Sequence, residues 1–216
     1  MERGMFISFE GPEGAGKTTQ IKLLEEILIK SGYEVILTRE PGGTDISTQI
    51  RKILLDCANT AMTPRTELLL YASARSQHVE ELILPSIKAG KIVLCDRFAD
   101  STVAYQGYGR QLDSELIQEL VRIATNGLKP DLTFLVDLTP EVGMKRVVKR
   151  GSADSGGEKD RLELEKMDFH HRMRDGFLEI AKQEPQRFRV IDGNREIEPI
   201  HNDIMNIIRE TVKIAS

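Results

Sequence analysis

The chain has no tryptophan, two cysteines and four tyrosines in 216 residues. Cys57 and Cys95 are too few for a disulfide framework, and Cys95 closes an apolar run where a buried thiol belongs. A reducing cytoplasm is therefore the expected compartment. No apolar stretch approaches the roughly 20 residues of a membrane-spanning helix, so no membrane association is expected. The opening Met1-Glu2-Arg3-Gly4 lacks the basic-then-apolar pattern of a secretory signal. Positive charge is not in excess either: 30 Lys and Arg against 34 Asp and Glu leave a net charge of −4. That balance argues against a broad surface for nucleic acid or anionic lipid. Repeats, linkers and low-complexity tracts are missing, so residues 1–216 read as one domain. The remainder is an ordinary globular composition, 40% hydrophobic and 30% charged, long enough for a large core.

Short apolar runs alternate with amphipathic stretches along the chain. Phe6–Phe9, Glu34–Thr38, Lys91–Asp96, Leu132–Asp137 and Phe188–Ile191 read as strands. Helical periodicity follows at Ile21, Leu23, Leu24, Ile27 and Leu28, and again at Ile46, Ile50, Ile53 and Leu54. A longer helix opens at Pro64, with Pro85 bending or ending it. Further helices are expected over 113–125, from Pro140 to about Arg150, from about Arg161 to Lys182, and from about Pro199. Ser152–Lys159, polar and rich in Gly, Ser and Asp, reads as a mobile loop. Near-continuous apolar strands between helices predict an α/β fold with a five-stranded parallel sheet and helices on both faces. Ligands of such sheets bind beyond the carboxyl ends of the strands. Gly11–Thr18, Arg39–Thr44, Asp96–Arg97 and Asp192–Gly193 are thus predicted to face one cleft.

The most informative stretch is Gly11-Pro12-Glu13-Gly14-Ala15-Gly16-Lys17-Thr18-Thr19, between the first strand and first helix. It satisfies the phosphate-loop pattern G-x-x-x-x-G-K-[ST] through Gly11, Gly16, Lys17 and Thr18. Glycines let consecutive N–H groups point into one concavity, and the helix N-terminus behind them attracts a polyphosphate. Lys17 reaches the outer phosphates and the Thr18 hydroxyl ligates Mg²⁺ in such loops. A chance match in a chain of this size is about a one per cent event.

Arg39 and Arg97 each follow a strand and converge on the same cleft. Singly they are surface arginines at loop starts; together, beside a phosphate loop, they read as clamps for a second phosphate group. Asp96, at the end of a buried strand, is placed either to hold Mg²⁺ near Thr18 or to pair with Arg97. Tyr71 and Arg75 share a helical face. They suit stacking on a base and hydrogen bonding to its edge, or simply packing beside a solvated charge.

These stretches resemble bacterial thymidylate kinases, of the P-loop nucleoside-monophosphate kinase type. The resemblance runs through the phosphate loop, Arg39-Glu-Pro-Gly-Gly-Thr, Leu69-Leu-Tyr-Ala-Ser-Ala-Arg75 and Asp96-Arg-Phe-Ala-Asp-Ser-Thr-Val-Ala-Tyr-Gln106. It continues in Val148-Lys-Arg-Gly and Asp160-Arg-Leu-Glu163, in order over nearly the whole chain. It implies phosphorylation of dTMP to dTDP by Mg-ATP, a mobile lid at about 149–161, and a homodimer. ATP would be held by Gly11, Pro12, Glu13, Gly14, Ala15, Gly16, Lys17, Thr18 and Thr19, with Arg150 against the adenine. Glu13 would approach the acceptor's 3′-hydroxyl, Arg39 and Arg97 would grip its phosphate, and Tyr71 would stack on thymine. Arg75 would bond the base's carbonyl edge, Ser101, Thr102 and Gln106 would line the acceptor site, and Tyr105 would crowd the sugar's 2′ position. Lys17, Arg97, Arg161 and Glu13 are the implied catalytic set, with Mg²⁺ at Thr18 and Asp96.

Three positions depart from the family pattern. Tyr71 stands where Phe is more usual, so its hydroxyl needs a polar place. Phe98 replaces a Tyr or His. Gly14 stands where one branch carries a basic residue, so the transferring phosphoryl must draw its cation from the lid, for which Arg161 is the candidate. The alternative readings are another nucleoside-monophosphate kinase on the same scaffold, or a P-loop GTPase-type switch. The latter normally needs an Asn-Lys-x-Asp tetrapeptide, and none occurs.

Overall fold

Five parallel strands form one sheet in the order β2-β3-β1-β4-β5. They are β1 Phe6–Glu10, β2 Val35–Arg39, β3 Ile92–Asp96, β4 Leu132–Asp137 and β5 Phe188–Asp192. The computed structural model describes residues 3–150 and 160–212, with the Arg150 side chain excepted. The chain steps outward from β1 to β2, returns to β3, and then crosses to β4. Strand order therefore reverses beside β1, and the crevice at that reversal is where an open α/β sheet binds ligands.

Both faces of the sheet are covered, as the apolar strands require. Ile7, Phe9, Leu94, Phe134 and Val136 pack against Ile21, Leu24 and Leu28 of α1, Lys17–Lys30, and against Ile200, Ile204 and Ile208 of α9, Ile197–Thr211. The three- and four-residue spacing puts each helix's set on one stripe. Phe6, Val93 and Cys95 face the other way, toward Val79, Ile83 and Phe98. Leu135 packs there with Phe169, Met173 and Phe177 of α8, Met167–Gln183. Each fully buried Leu or Phe contributes about 1.5–3 kcal/mol of transfer free energy.

Helix α3, Pro64–His78, carries the site's second half and is opened by Thr63, whose hydroxyl oxygen accepts from the Thr66 N–H. A π-helical turn, Val79–Ile83, passes the chain into α4, Leu84–Lys88. Pro85 thus neither ends the run nor sharply breaks it. It lacks the N–H that an α-helix would place on Glu81, and sits in the first turn of α4, just after the π turn. Asp113 caps α6, Ser114–Thr125, through the Leu116 N–H at 2.9 Å. The remaining helices among the described residues are α2, Asp45–Leu55, α5, Ala99–Thr102, which continues into a π-helical stretch, Val103–Gly109, and α7, Pro140–Arg150.

One expectation is corrected. The helix expected from about Arg161 begins only at Met167. Ahead of it the Asp160 carboxylate accepts from the Leu162 and Glu163 N–H groups, both at 2.9 Å, and Glu163 Oε2 accepts from the Asp160 N–H at 3.1 Å, a capping box that opens only a turn before the chain enters α8. The periodic isoleucines of α2 do form a helix, yet Ile46 and Ile53 are 51% and 49% exposed while Leu54 is buried. The expected lid falls mostly on residues 151–159, outside the described residues.

Candidate functional site

The carboxyl ends of β1, β2 and β3 open on one cavity of about 870 Å³. At its floor the phosphate loop is shaped by close backbone approach. Gly11 has φ 132°, and a Cβ there would lie 2.3 Å from the Val136 carbonyl oxygen. Gly14, at φ 70°, would bring a Cβ within 2.3 Å of the Gly143 oxygen. That contact accounts for the missing basic side chain: α7 passes too close for any. Lys17 heads α1, whose N-terminus has no side-chain cap, so its amides face the loop. In this conformation Lys17 Nζ donates to the Gly11 and Pro12 carbonyls at 2.9 and 2.8 Å. Burial, reinforced by Arg97, pulls the Lys17 ammonium down to about 8, despite Asp96, Glu13 and Glu10.

Thr18 donates its hydroxyl to Asp96 Oδ2 at 2.7 Å. Asp96 therefore faces the phosphate loop.

Arg97 occupies the left-handed region at φ 72°, which costs a non-glycine residue about 1–2 kcal/mol. The backbone around it compensates. The Arg97 N–H donates to Phe9 O at 2.9 Å, and the Phe98 N–H to Glu10 Oε1 at 2.7 Å. The guanidinium then donates through Nη1 to Gly11 O at 3.0 Å and through Nη2 to Glu13 Oε1 at 3.1 Å, over the Tyr105 ring. Tyr105 donates its hydroxyl to the same Glu13 oxygen. Burial pushes the Glu13 carboxyl up, but Arg97 and Lys17 outweigh it and hold it below the usual carboxylate range. Glu10 is different: burial and then Asp100 push it up to about 8, while it receives Ser101 Oγ at 2.6 Å.

One face of α3 carries Glu67, Tyr71, Arg75 and His78, spaced by four, four and three, and of these Tyr71 and Arg75 line the cavity. Burial, then Glu67, pushes the Tyr71 phenol up, with Asp160 adding and Arg161 opposing. Those charges are the polar surroundings its hydroxyl requires. Arg75, 2% exposed, donates through Nε to Glu40 Oε2 at 2.7 Å, through Nη1 to Thr102 Oγ1 at 2.8 Å and through Nη2 to Phe98 O at 3.1 Å. Gln106 donates to Glu67 Oε1 at 2.8 Å.

Most residues expected at the site meet in this cavity: Glu13, Gly14, Lys17, Thr18, Thr19, Arg39, Tyr71, Arg75, Asp96, Arg97, Ser101, Thr102, Tyr105 and Gln106 line it. Asp192–Gly193 does not join them. Gly193 lies behind the phosphate loop, its carbonyl receiving Arg146 Nη1 at 2.9 Å, with Gly14 O on the same nitrogen at 3.4 Å. Arg161 rests on the acceptor side rather than on the phosphate loop, with Nη1 2.6 Å from Glu67 Oε2 and Nε donating to Leu54 O at 3.0 Å. The Arg150 side chain is outside the described residues. Sequence reasoning missed Glu10, Glu40, Glu67, His78 and Arg146. The available signals were a charged residue ending an apolar strand, the spacing along α3, and an arginine one turn before Arg150.

A family model described as thymidylate kinase matches residues 9–204. A thymidylate kinase of Geotalea uraniireducens (strain Rf4) is 56% identical over 195 residues, covering 90% of this chain and 92% of that protein. One from Thermoanaerobacter sp. (strain X514) is 51% identical over 208 residues, covering 96% and 98%. Among solved structures, a crystal structure of thymidylate kinase from Ehrlichia chaffeensis superposes with a TM-score of 0.76. It shares 37% identity and covers 96% of this chain and 99% of that one.

Proposed function

The chain belongs to the thymidylate kinase family, and from that premise we propose how its own residues phosphorylate dTMP to dTDP at the expense of ATP. The observation that carries the reading is a pair of anion sites in one cavity. The phosphate loop and the pair Arg97 and Arg39 line the same cavity, with Arg97 against the loop through Gly11 O and Glu13.

The acceptor's phosphate has a second pKa of about 6, so near neutral pH its oxygens are already nucleophilic and no general base is needed. The protein's work is to align two polyanions and neutralise them. Loop amides and Lys17 hold the ATP phosphates, Lys17 exchanging the Gly11 and Pro12 carbonyls for phosphate oxygens. Arg97 and Arg39 grip the acceptor phosphate, while Glu13, below its usual pKa and oriented by Tyr105, accepts from the sugar 3′-hydroxyl. Tyr71 stacks on thymine, Arg75 donates to its carbonyl edge, and Thr102 and Gln106 flank it.

The donor set suits Mg²⁺: a hydroxyl and a carboxylate 2.7 Å apart beside a phosphate site, the hard oxygens that Mg²⁺ combines with phosphates and water. Thr18 and Asp96 would hold it, and it would supply charge neutralisation for the ATP phosphates. Arg161, leaving Glu67, is the proposed lid cation for the transferring phosphoryl, with Arg150 on the adenine.

The family also implies a homodimer, which exposed Ile46, Ile53, Leu69 and Ile123 support. They lie on α2, α3 and α6, which pack side by side. The buried Cys95 thiol agrees with a reducing cytoplasm, and among the described residues no helix is long and apolar enough to cross a membrane.

A coupled ADP-release assay over a panel of nucleoside monophosphates with Mg-ATP tests the reading. dTMP should be the preferred acceptor, with dUMP weaker because a missing methyl is worth only about 1–3 kcal/mol. dCMP and dGMP should stay near background. Equal turnover of dCMP or dGMP and dTMP would overturn the base assignments.

A further inference from the structure

His78 lies wholly inside the protein, at the last turn of α3, and the phosphoryl-transfer chemistry does not use it. Its ring nitrogens are both engaged. Nδ1 is 3.0 Å from Glu40 Oε1 and Nε2 is 2.7 Å from Thr38 Oγ1. The carboxylate can only accept, so Nδ1 carries a proton, and in the neutral ring Nε2 accepts from the Thr38 hydroxyl. The other Glu40 oxygen receives Arg75 Nε at 2.7 Å. Thr38, His78, Glu40 and Arg75 therefore form one buried chain that ends in the cavity. A guanidinium has five N–H donors. Glu40, Thr102 and Phe98 O take three of Arg75's, leaving one on each terminal nitrogen for a ligand.

The same imidazole braces the loop between β2 and α2. A Cβ on Gly43, at φ 87°, would lie 2.4 Å from His78 Nε2. That loop starts at Arg39. One buried ring therefore contacts both the Glu40 carboxylate that holds Arg75 and the loop that follows Arg39.

We infer that His78 is a positioning residue for acceptor selection, acting through Glu40 on Arg75. Without the Nδ1–H, Glu40 loses its second anchor and the Arg75 plane can rotate. A plane fixed for a thymine carbonyl rejects an amino group at that position, whereas a loose one tolerates it. The side-chain hydrogen bonds of this chain run to Thr38, Thr102 and Phe98 and not to the phosphate loop. The inference rests on the reading of Arg75 as the base-contacting group.

The test compares wild type, Arg75→Ala, His78→Leu, His78→Asn and His78→Gln. It measures steady-state KM for dTMP and ATP, the kcat/KM ratio of dTMP to dCMP, and folding by circular dichroism. For His78→Leu, KM for dTMP should rise about tenfold and the dTMP-to-dCMP ratio fall by a similar factor, with KM for ATP unchanged. Asparagine places its amide N–H where Nδ1 stands and should restore most of the ratio. Glutamine places it at Nε2 and should behave like leucine. If folded His78→Leu keeps the wild-type ratio, or raises both KM values equally, the inference is overturned. If the leucine variant fails to fold, the Asn–Gln comparison decides, and identical behaviour of those two overturns the inference. A wild type indifferent to dCMP, or an Arg75→Ala that keeps the preference, would overturn the base reading itself. Loss of preference in Arg75→Ala with full preference in every His78 variant would overturn only the role of His78.

Discussion

Arg161 Nη1 and Glu67 Oε2 stand 2.6 Å apart, with the Arg161 side chain 11% and the Glu67 side chain 1% exposed. Glu67 also receives Arg110 and Gln106, and together with Arg161 they hold its carboxyl below the usual range even though burial pushes it up. The arginine proposed for the transferring phosphoryl is thus stored on an acidic residue of the acceptor wall. An interaction made only in the transition state lowers kcat without raising KM. Arg161→Ala should lose kcat by up to about a thousandfold, by analogy with arginine fingers. Steady-state kinetics decide: a near-normal kcat with a raised KM for dTMP would leave Arg161 a pocket residue that never leaves Glu67.

Arg97 should matter to one substrate and not the other. Charge-assisted contacts to a buried phosphate are worth about 1.5–3 kcal/mol each. Arg97→Ala should therefore weaken dTMP binding by tenfold or more, and ATP binding little. Calorimetric titration with each ligand checks this, and equal losses for both would place Arg97 at the donor phosphates.

The depressed Lys17 gives ATP binding a pH dependence. Below about 8 the free protein already carries the charged ammonium that phosphate needs. Above it, Lys17 is largely neutral and must take up a proton on binding, so affinity falls as pH rises, by about tenfold per unit well above the pKa. Calorimetry in buffers of different ionisation enthalpy at pH 9 should show proton uptake for wild type and far less for Lys17→Met. Unchanged ATP affinity between pH 7 and 9 would contradict the assignment.

Gly14 should tolerate nothing larger. Its φ of 70° is one penalty, and the 2.3 Å that would separate a Cβ there from the Gly143 oxygen is a second, independent one. The backbone conformation alone costs about 1–2 kcal/mol for a residue with a Cβ, and the clash adds to it. Gly14→Ala should lower urea-unfolding stability by more than about 2 kcal/mol, and weaken ATP binding as α7 is pushed from the loop. An alanine variant as stable as wild type would mean that α7 yields readily.

The five strands were legible because parallel strands covered on both faces read as unbroken apolar runs, and the phosphate loop because its glycines, lysine and threonine are consecutive. Tyr71 and Arg75 could be assigned to one face from helical spacing alone. The same logic put Ile46 and Ile53 on a helix, but periodicity does not say what covers a helix, and both are half exposed. The start of α8 was missed because the capping box of Asp160 and Glu163 opens a single turn that does not continue into the helix.

By itself the sequence determined the parallel α/β architecture, the anion site after β1, and the convergence of three strand ends on one cleft. These follow from local rules: hydrophobic period, glycine conformations and the direction in which strands run. Only the tertiary structure decided that Glu40 joins His78 to Arg75, that Glu67 stores Arg161, and that Glu10 holds the turn in which Arg97 takes its strained conformation. Those pairs are separated by 35 to 94 positions in the chain. No sequence period links them, because each is fixed by the need to satisfy a buried charge with whatever partner the packing of β1, β2 and α3 brings within reach.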